Sequence, residues 1–229
     1  MSTTDVNRAA VLRELMVERW SCRSYLDKPV TDDVLDELLT MAQRSPSWCN
    51  SQPWHVTVIR GDRLDDMREK FVRHAESHTE APDLPFPLRY EGVYRERRRE
   101  CGWQLYDSVG IQKGDREASQ KQAMENFRFF GAPALAIITT EADLGTYGAI
   151  DCGVYIGNFL LAAQSLGLAT IPQAALASHS GFLRGELQLP DHRKVVAGVS
   201  FGYADENDPA NGFRTNRADI AESSTRVGS

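Results

Sequence analysis

Apolar residues recur along this chain at two spacings. At the helical period, Val6, Ala10, Leu12, Leu15 and Met16 define a first helix, and Val34, Leu35, Leu38, Leu39 and Ala42 a second. Pro29 followed by Thr31, Asp32 and Asp33 gives the second helix its start, because hydroxyl and carboxylate oxygens suit the free N–H groups of a first turn. Further helices are expected over 64–76, 89–106, 116–129 and 178–187. β-branched and small apolar residues cluster over 54–60, 134–140 and 194–202, which predicts three strands. Few strands, many helices and no regular alternation of the two point to an α+β fold.

Three stretches depart from this pattern. Residues 149–168 are the most apolar in the chain, with apolar side chains on nearly every face of a helix. Asp151, Asn158, Gln164 and Ser165 interrupt them, which argues against a membrane span and for a helix surrounded by protein. Gly153 and Gly157, four apart, would let another helix approach closely, and a second subunit could cover one side. Residues 79–88 carry Pro82, Pro85 and Pro87 and must form a loop, leading into an extra helical region before Asn126. Residues 204–212 are acidic and contain Pro and Gly, and read as a linker that reaches outward from the last strand.

Composition narrows the class. At 229 residues the chain can bury one large core, and a net charge of -6 argues against a nucleic-acid binder. Arg95, Arg97, Arg98 and Arg99 are interleaved with Glu91, Glu96 and Glu100, as on a salt-bridged, exposed helix face. Cys22, Cys49, Cys101 and Cys152 form no paired motif, so neither zinc nor a disulfide framework is expected. His74 and His78 have helical spacing but no third ligand nearby in sequence, and read as solvated surface residues. The polar segment 1–7 shows no secretory signal, and a cytoplasmic protein with reduced cysteines is expected.

Candidate chemistry concentrates in two segments. Residues 44–54 read Arg-Ser-Pro-Ser-Trp-Cys-Asn-Ser-Gln-Pro-Trp, between a predicted helix and a predicted strand. Asn50 and Gln52 each donate and accept, which suits the edge of a flat heterocycle such as a flavin pyrimidine, although an ordinary polar turn has the same composition. At the end of the first helix, Arg19 and Arg23 bracket Ser21. Guanidinium forks and a hydroxyl can hold a phosphate dianion, and solvated surface charges would look the same in isolation.

Taken together, these segments resemble the FMN-dependent nitroreductase family. The family's Arg-x-Ser-x-Arg/Lys phosphate segment is matched by Arg19, Ser21 and Arg23, with Trp20 lining the cofactor. Its Pro-Ser-x-x-Asn-x-Gln-Pro-Trp loop is matched by Pro46, Ser47, Asn50, Gln52, Pro53 and Trp54, with Trp48 inside it. A Gly-Leu-x-x-x-Pro-Gln stretch beside the flavin N5 and O4 is matched from Gly167 through Pro172 and Gln173, followed by Ala174. A late arginine that returns to the phosphate is matched by Arg217, with Arg214 as a second tail cation, and Asn126 and Arg128 fall near a further flavin-contacting position.

The resemblance implies a nitroreductase-like three-layer α/β/α sandwich with a central, mostly antiparallel sheet, in an intertwined homodimer. Residues 1–229 would form a single FMN-binding domain, with a helical substrate-side insertion at 79–115 and a C-terminal extension at 204–229 reaching the partner subunit. The loop at 46–52 of one chain would meet the flavin held by the other. Phe86, Tyr90, Tyr94, Trp103 and Tyr106 of the insertion could stack on a planar substrate or simply pack their helix onto the domain. The implied activity is NAD(P)H-dependent, ping-pong, two-electron reduction of a small aromatic nitro compound, or of a quinone. No side chain is then needed as acid, base or nucleophile, because the protein orients and tunes the flavin. Reductive dehalogenation and flavin fragmentation are alternatives within the same fold, and a flavin-binding redox sensor is the non-enzymatic one.

Overall fold

The computed structural model describes residues 7–228, so Val6 and the rest of segment 1–6 lie outside it. Four strands, β1 (His55–Arg60), β2 (Ala134–Glu141), β3 (Ala169–Gln173) and β4 (Arg193–Gly202), form one sheet in the order β1-β2-β4-β3. Every neighbouring pair is antiparallel. The helices are α1 (Arg8–Glu18), α2 (Asp32–Ala42), α3 (Asp62–Ser77), α4 (Gly92–Ser108), α5 (Arg116–Met124), α6 (Gly145–Ser165), α7 (Ala174–Ala177), α8 (Ser180–Leu187) and α9 (Ile220–Ser223).

Alternation along β2 builds the three layers. Ala134, Ala136 and Ile138 face Leu35 and Leu38 of α2 and Tyr155 and Phe159 of α6. Leu135 and Ile137 face Leu64, Met67 and Phe71 of α3 and Leu183 of α8. Both sheet faces are thus covered, and the expected sandwich is what forms. A register shift between Ile138 and Thr139 adds one residue to β4, which lets Val195 and Val199 face opposite layers although they are four apart.

Three elements differ from the pattern-based expectation. β3 escapes notice because it is five residues long and contains Pro172, which a sheet admits on an edge strand such as this one. α5 stops at Met124 rather than continuing through 129. Phe129 and Phe130 turn to φ of 57° and 52° and bury their rings, so packing overrides helix propagation there. The 204–212 linker is not a free reach: it closes in a short turn, Pro209–Asn211, that buries Ala210 and Asn211.

His74 is also more embedded than a solvated residue. Its ring stacks on exposed His78 at 4.0 Å and meets the ring of buried His179 edge-on at 5.1 Å. Among the described residues no group of three or more His, Cys, Asp or Glu side chains is arranged to hold a metal ion, and no helix is long and apolar enough to cross a membrane. All four cysteines are free thiols.

Candidate functional site

The turn after α6 sets one wall of the site. Gly167 takes φ 73° just past the helix end, its N–H donating to the Gln164 carbonyl while the Leu168 N–H donates to that of Ala163. This is the double closure that needs a left-handed residue, and it explains the glycine in the sequence motif. The chain then enters β3, where Pro172 and Ala174 point outward and Gln173 inward. Gln173 donates through Nε2 to the Asn126 carbonyl at 2.9 Å and accepts at Oε1 from the Ser200 hydroxyl at 2.5 Å. Its side chain is therefore structural, and the outward edge offers the backbone N–H of Ala174, which begins α7 and has no intrahelical acceptor.

The basic segment runs beside this edge. Ser21 bridges in parallel to Thr170, and the Cys22 N–H donates to the Thr170 carbonyl. Ser21 and Arg23 line a cleft of about 320 Å³ with Pro172, Gln173, Ala174 and Asn126, roofed by Leu105 and Tyr106 of α4. Arg23 is held by its Nη1 on the Ser21 carbonyl at 2.9 Å and by its N–H on Asn211 Oδ1 at 2.7 Å. Burial pushes its guanidinium below the ordinary value, and burial together with the like charge of Arg217 does the same to Arg19. The Arg214 guanidinium lies over the Trp20 ring, 3.9 Å from its centroid.

Arg19, Arg23, Arg214 and Arg217 have no carboxylate partner among the described residues. Arg19 and Arg23, partly desolvated cations with no carboxylate bound to them, fit an anionic group such as a phosphate, whereas Arg217 lines a neighbouring cavity beside Glu96, Glu100 and Glu222. Adjoining them, the outward edge of β3 and the side chain of Asn126 border space for a ring. The donor set therefore fits FMN.

The 46–54 loop lies elsewhere in the chain, against α2 and α6, and contributes nothing to the lining of this cleft. Asp151 of α6, 8% exposed, accepts from the Trp48 N–H at 3.1 Å, and the Ser47 hydroxyl accepts from the Gln52 N–H at 2.9 Å. Cys49, Asn50 and Gln52 all take positive φ, between 47° and 56°. Pro46, Trp48, Asn50 and Gln52 are exposed in the single chain, and Ser47 is half-buried.

Some expected members stand apart. Arg128 pairs with Glu125 at 3.1 Å, away from the cleft, whereas Asn126 lines it. Of the insertion's aromatic residues Tyr106 lines the cleft; Tyr94 is 67% exposed. The arginines of α4 do not form the expected ladder along their own helix: Arg97 pairs with Glu222 of the tail at 3.1 Å, and Asn216 donates to Glu100 at 2.7 Å. The tail so lies along α4 of its own chain. Sequence reasoning missed Asn211, whose Nδ2 donates to the carbonyls of Ser24 at 2.8 Å and Asp205 at 2.7 Å. It also missed Asp151, a carboxylate inside an otherwise apolar run, which was the available signal.

The profile of the Nitroreductase family matches residues 16–203. Nitroreductase NfnB of Mycolicibacterium smegmatis is 34% identical over 224 residues, covering 96% of this chain and 93% of its own. The nitrobenzene nitroreductase of Ectopseudomonas oleovorans is 34% identical, over 93% of this chain and 96% of its own. The crystal structure of FMN-dependent NfnB from Mycobacterium smegmatis in complex with NADPH superposes with a TM-score of 0.90 at 33% identity, covering 96% of this chain and all of that one.

Proposed function

Since this chain belongs to the nitroreductase family, we propose that it is an FMN-dependent NAD(P)H:nitroaromatic oxidoreductase that moves electrons in pairs. The observation that carries this reading is the cleft joining Ser21 and Arg23 to the outward edge of Pro172 and Ala174, beside a cluster of unpaired guanidinium groups. One relative of near full-length coverage is named a nitrobenzene nitroreductase, and another, NfnB of Mycobacterium smegmatis, is seen in complex with NADPH.

Bound FMN supplies a ring that takes a hydride from the nicotinamide and returns two electrons to the acceptor. The chain's own contribution is placement. Arg19, Arg23, Arg214 and Arg217 would neutralise the phosphate, with Trp20 holding Arg214 in place, and the Ala174 N–H would serve as a donor to the ring edge. The cleft lining offers hydroxyls, amides and one guanidinium, with no carboxylate or imidazole among the described residues.

The working unit is a homodimer. Val11, Leu12, Met16 and Val17 of α1 are exposed, as are Ile150 and Val154 of α6, and the two helices pack against each other. A patch of this kind is typical of an obligate interface rather than of a monomer surface. The 46–52 loop is tied to α6 on this side by Asp151, so a second copy docked here brings Asn50 and Gln52 to the cleft that its own chain leaves without them.

An anaerobic titration tests the reading. Purified protein should carry a yellow chromophore that chromatography identifies as FMN, bleach with NADH or NADPH, and recover on adding a nitroarene. Colourless protein that refuses reconstitution with FMN overturns it, as does reduced protein that a nitroarene cannot reoxidise.

A further inference from the structure

Between the end of α2 and the loop, the amides of Gln43 and Gln52 form a directed chain. The Trp54 indole N–H donates to Gln43 Oε1 at 3.0 Å, Gln43 Nε2 donates to Gln52 Oε1 at 2.9 Å, and Gln52 Nε2 reaches the Asn50 carbonyl at 3.3 Å. The direction is forced from one end. An indole N–H can only donate, so Gln43 must turn its oxygen to it and its NH₂ outward. Gln52 must then meet that NH₂ with its own oxygen, leaving its NH₂ pointing away. One Nε2–H goes to Asn50, and the second has no partner among the described residues.

We propose that Trp54 and Gln43 are positioning residues that fix Gln52 with its NH₂ toward the flavin, making it a hydrogen-bond donor to the pyrimidine edge. This rests on the reading of the site as an FMN site shared between two chains. The consequence is electronic. A reduced flavin carries more negative charge along N1 and O2 than the oxidised ring, so a donor held there favours the reduced form. A free glutamine could turn its carbonyl to the same place and do the reverse. Trp54 is 8% exposed and packs its ring 5.0 Å from that of Tyr155, so the start of the chain is anchored in the core. The left-handed φ of 47° at Gln52 is held by its N–H on the Ser47 hydroxyl, which fixes the other end.

Gln43→Glu tests the direction. A carboxylate only accepts, so Glu at this position still takes the Trp54 N–H but obliges Gln52 to reverse and present its oxygen to the ring. Apoprotein is titrated anaerobically with oxidised and with reduced FMN, and the ratio of the two dissociation constants is compared between variants. The preference for reduced FMN is expected to fall about tenfold in Gln43→Glu, the scale of a hydrogen bond to a charged group. Gln43→Met, neutral and of similar size, should give a smaller fall of the same sign. The added charge is separated from the reversal by repeating Gln43→Glu in a Gln52→Ala background, where most of the fall should vanish. An equal fall in both backgrounds, or none with Gln52 present, overturns the inference. Unmodified protein that binds no FMN overturns instead the reading of the site on which it rests.

Discussion

Arg214 and Trp20 are 194 positions apart, yet the guanidinium carbon sits 3.9 Å from the indole centroid. The same guanidinium donates to the Asn211 carbonyl at 2.8 Å, and Asn211 in turn accepts from the Arg23 N–H. A stacked cation of this kind contributes about 0.5–2 kcal/mol. Trp20→Leu should therefore weaken FMN binding about 2- to 30-fold, because Arg214 loses the surface that orients it. Flavin fluorescence quenching measures this, and unchanged affinity would remove Arg214 from the phosphate site.

Asn211 is the hinge of this arrangement. It is buried and satisfies backbone groups of Arg23, Ser24 and Asp205. Removing its amide strands buried donors and acceptors at about 1–3 kcal/mol each. Asn211→Ala is expected to bind FMN at least tenfold more weakly and to unfold at lower urea. A variant that loses stability but keeps full FMN affinity would show that Asn211 holds the fold and not the site.

The sequence disclosed the parts of this molecule whose signals are local. The apolar stripe of α2, the strands around Ala134 and Val199, and the bases at Arg19 and Arg23 follow from spacing and residue type alone. β3 was hidden by Pro172, which signals a strand break unless the strand is known to lie at an edge. Asn211 and Asp151 were hidden for another reason. Their partners, Arg23 and Trp48, are 188 and 103 positions away, and one polar residue in a loop or an apolar helix says nothing of what it will meet. The early end of α5 came from burial of Phe129 and Phe130, a tertiary gain that no local period registers.

Asp151 holds the amide loop in a conformation that its residues disfavour. Three non-glycine residues with positive φ cost about 1 kcal/mol or more each. The carboxylate on the Trp48 N–H is a tertiary bond that opposes that cost. Asp151→Ala should loosen the loop and raise its rate of proteolytic cleavage about tenfold, whereas Asp151→Asn, which keeps an acceptor oxygen, should restore most of the protection. Equal cleavage of all three proteins would show that the loop is held without this bond.

The proposed interface can be broken without touching the monomer core. A Cβ on Gly157 would meet nothing within 4 Å in the single chain, and Gly153 is the same. Gly157→Phe should consequently leave far-UV circular dichroism unchanged while converting the sedimenting species from dimer to monomer, with loss of bound FMN as the amide loop leaves the cleft. A dimer that tolerates the phenylalanine would place the interface on another face.

Acid should weaken the chain through its histidines. Burial pushes both His74 and His179 below their ordinary value of 6.5, with like charge from His78 adding to the effect and Glu80 opposing it at His179. The folded state therefore takes up a proton less readily than the unfolded chain. Stability is complete above pH 6.5 and falls as the pH drops through and below that value, because protons then bind preferentially to the unfolded form. Phe71, Phe127 and Phe182 surround these rings and supply little that would solvate an imidazolium. The melting temperature should fall between pH 7.5 and 5.5, and His74→Phe should flatten that fall by removing one of the two groups. A variant as acid-sensitive as the unmodified protein would place the titration elsewhere.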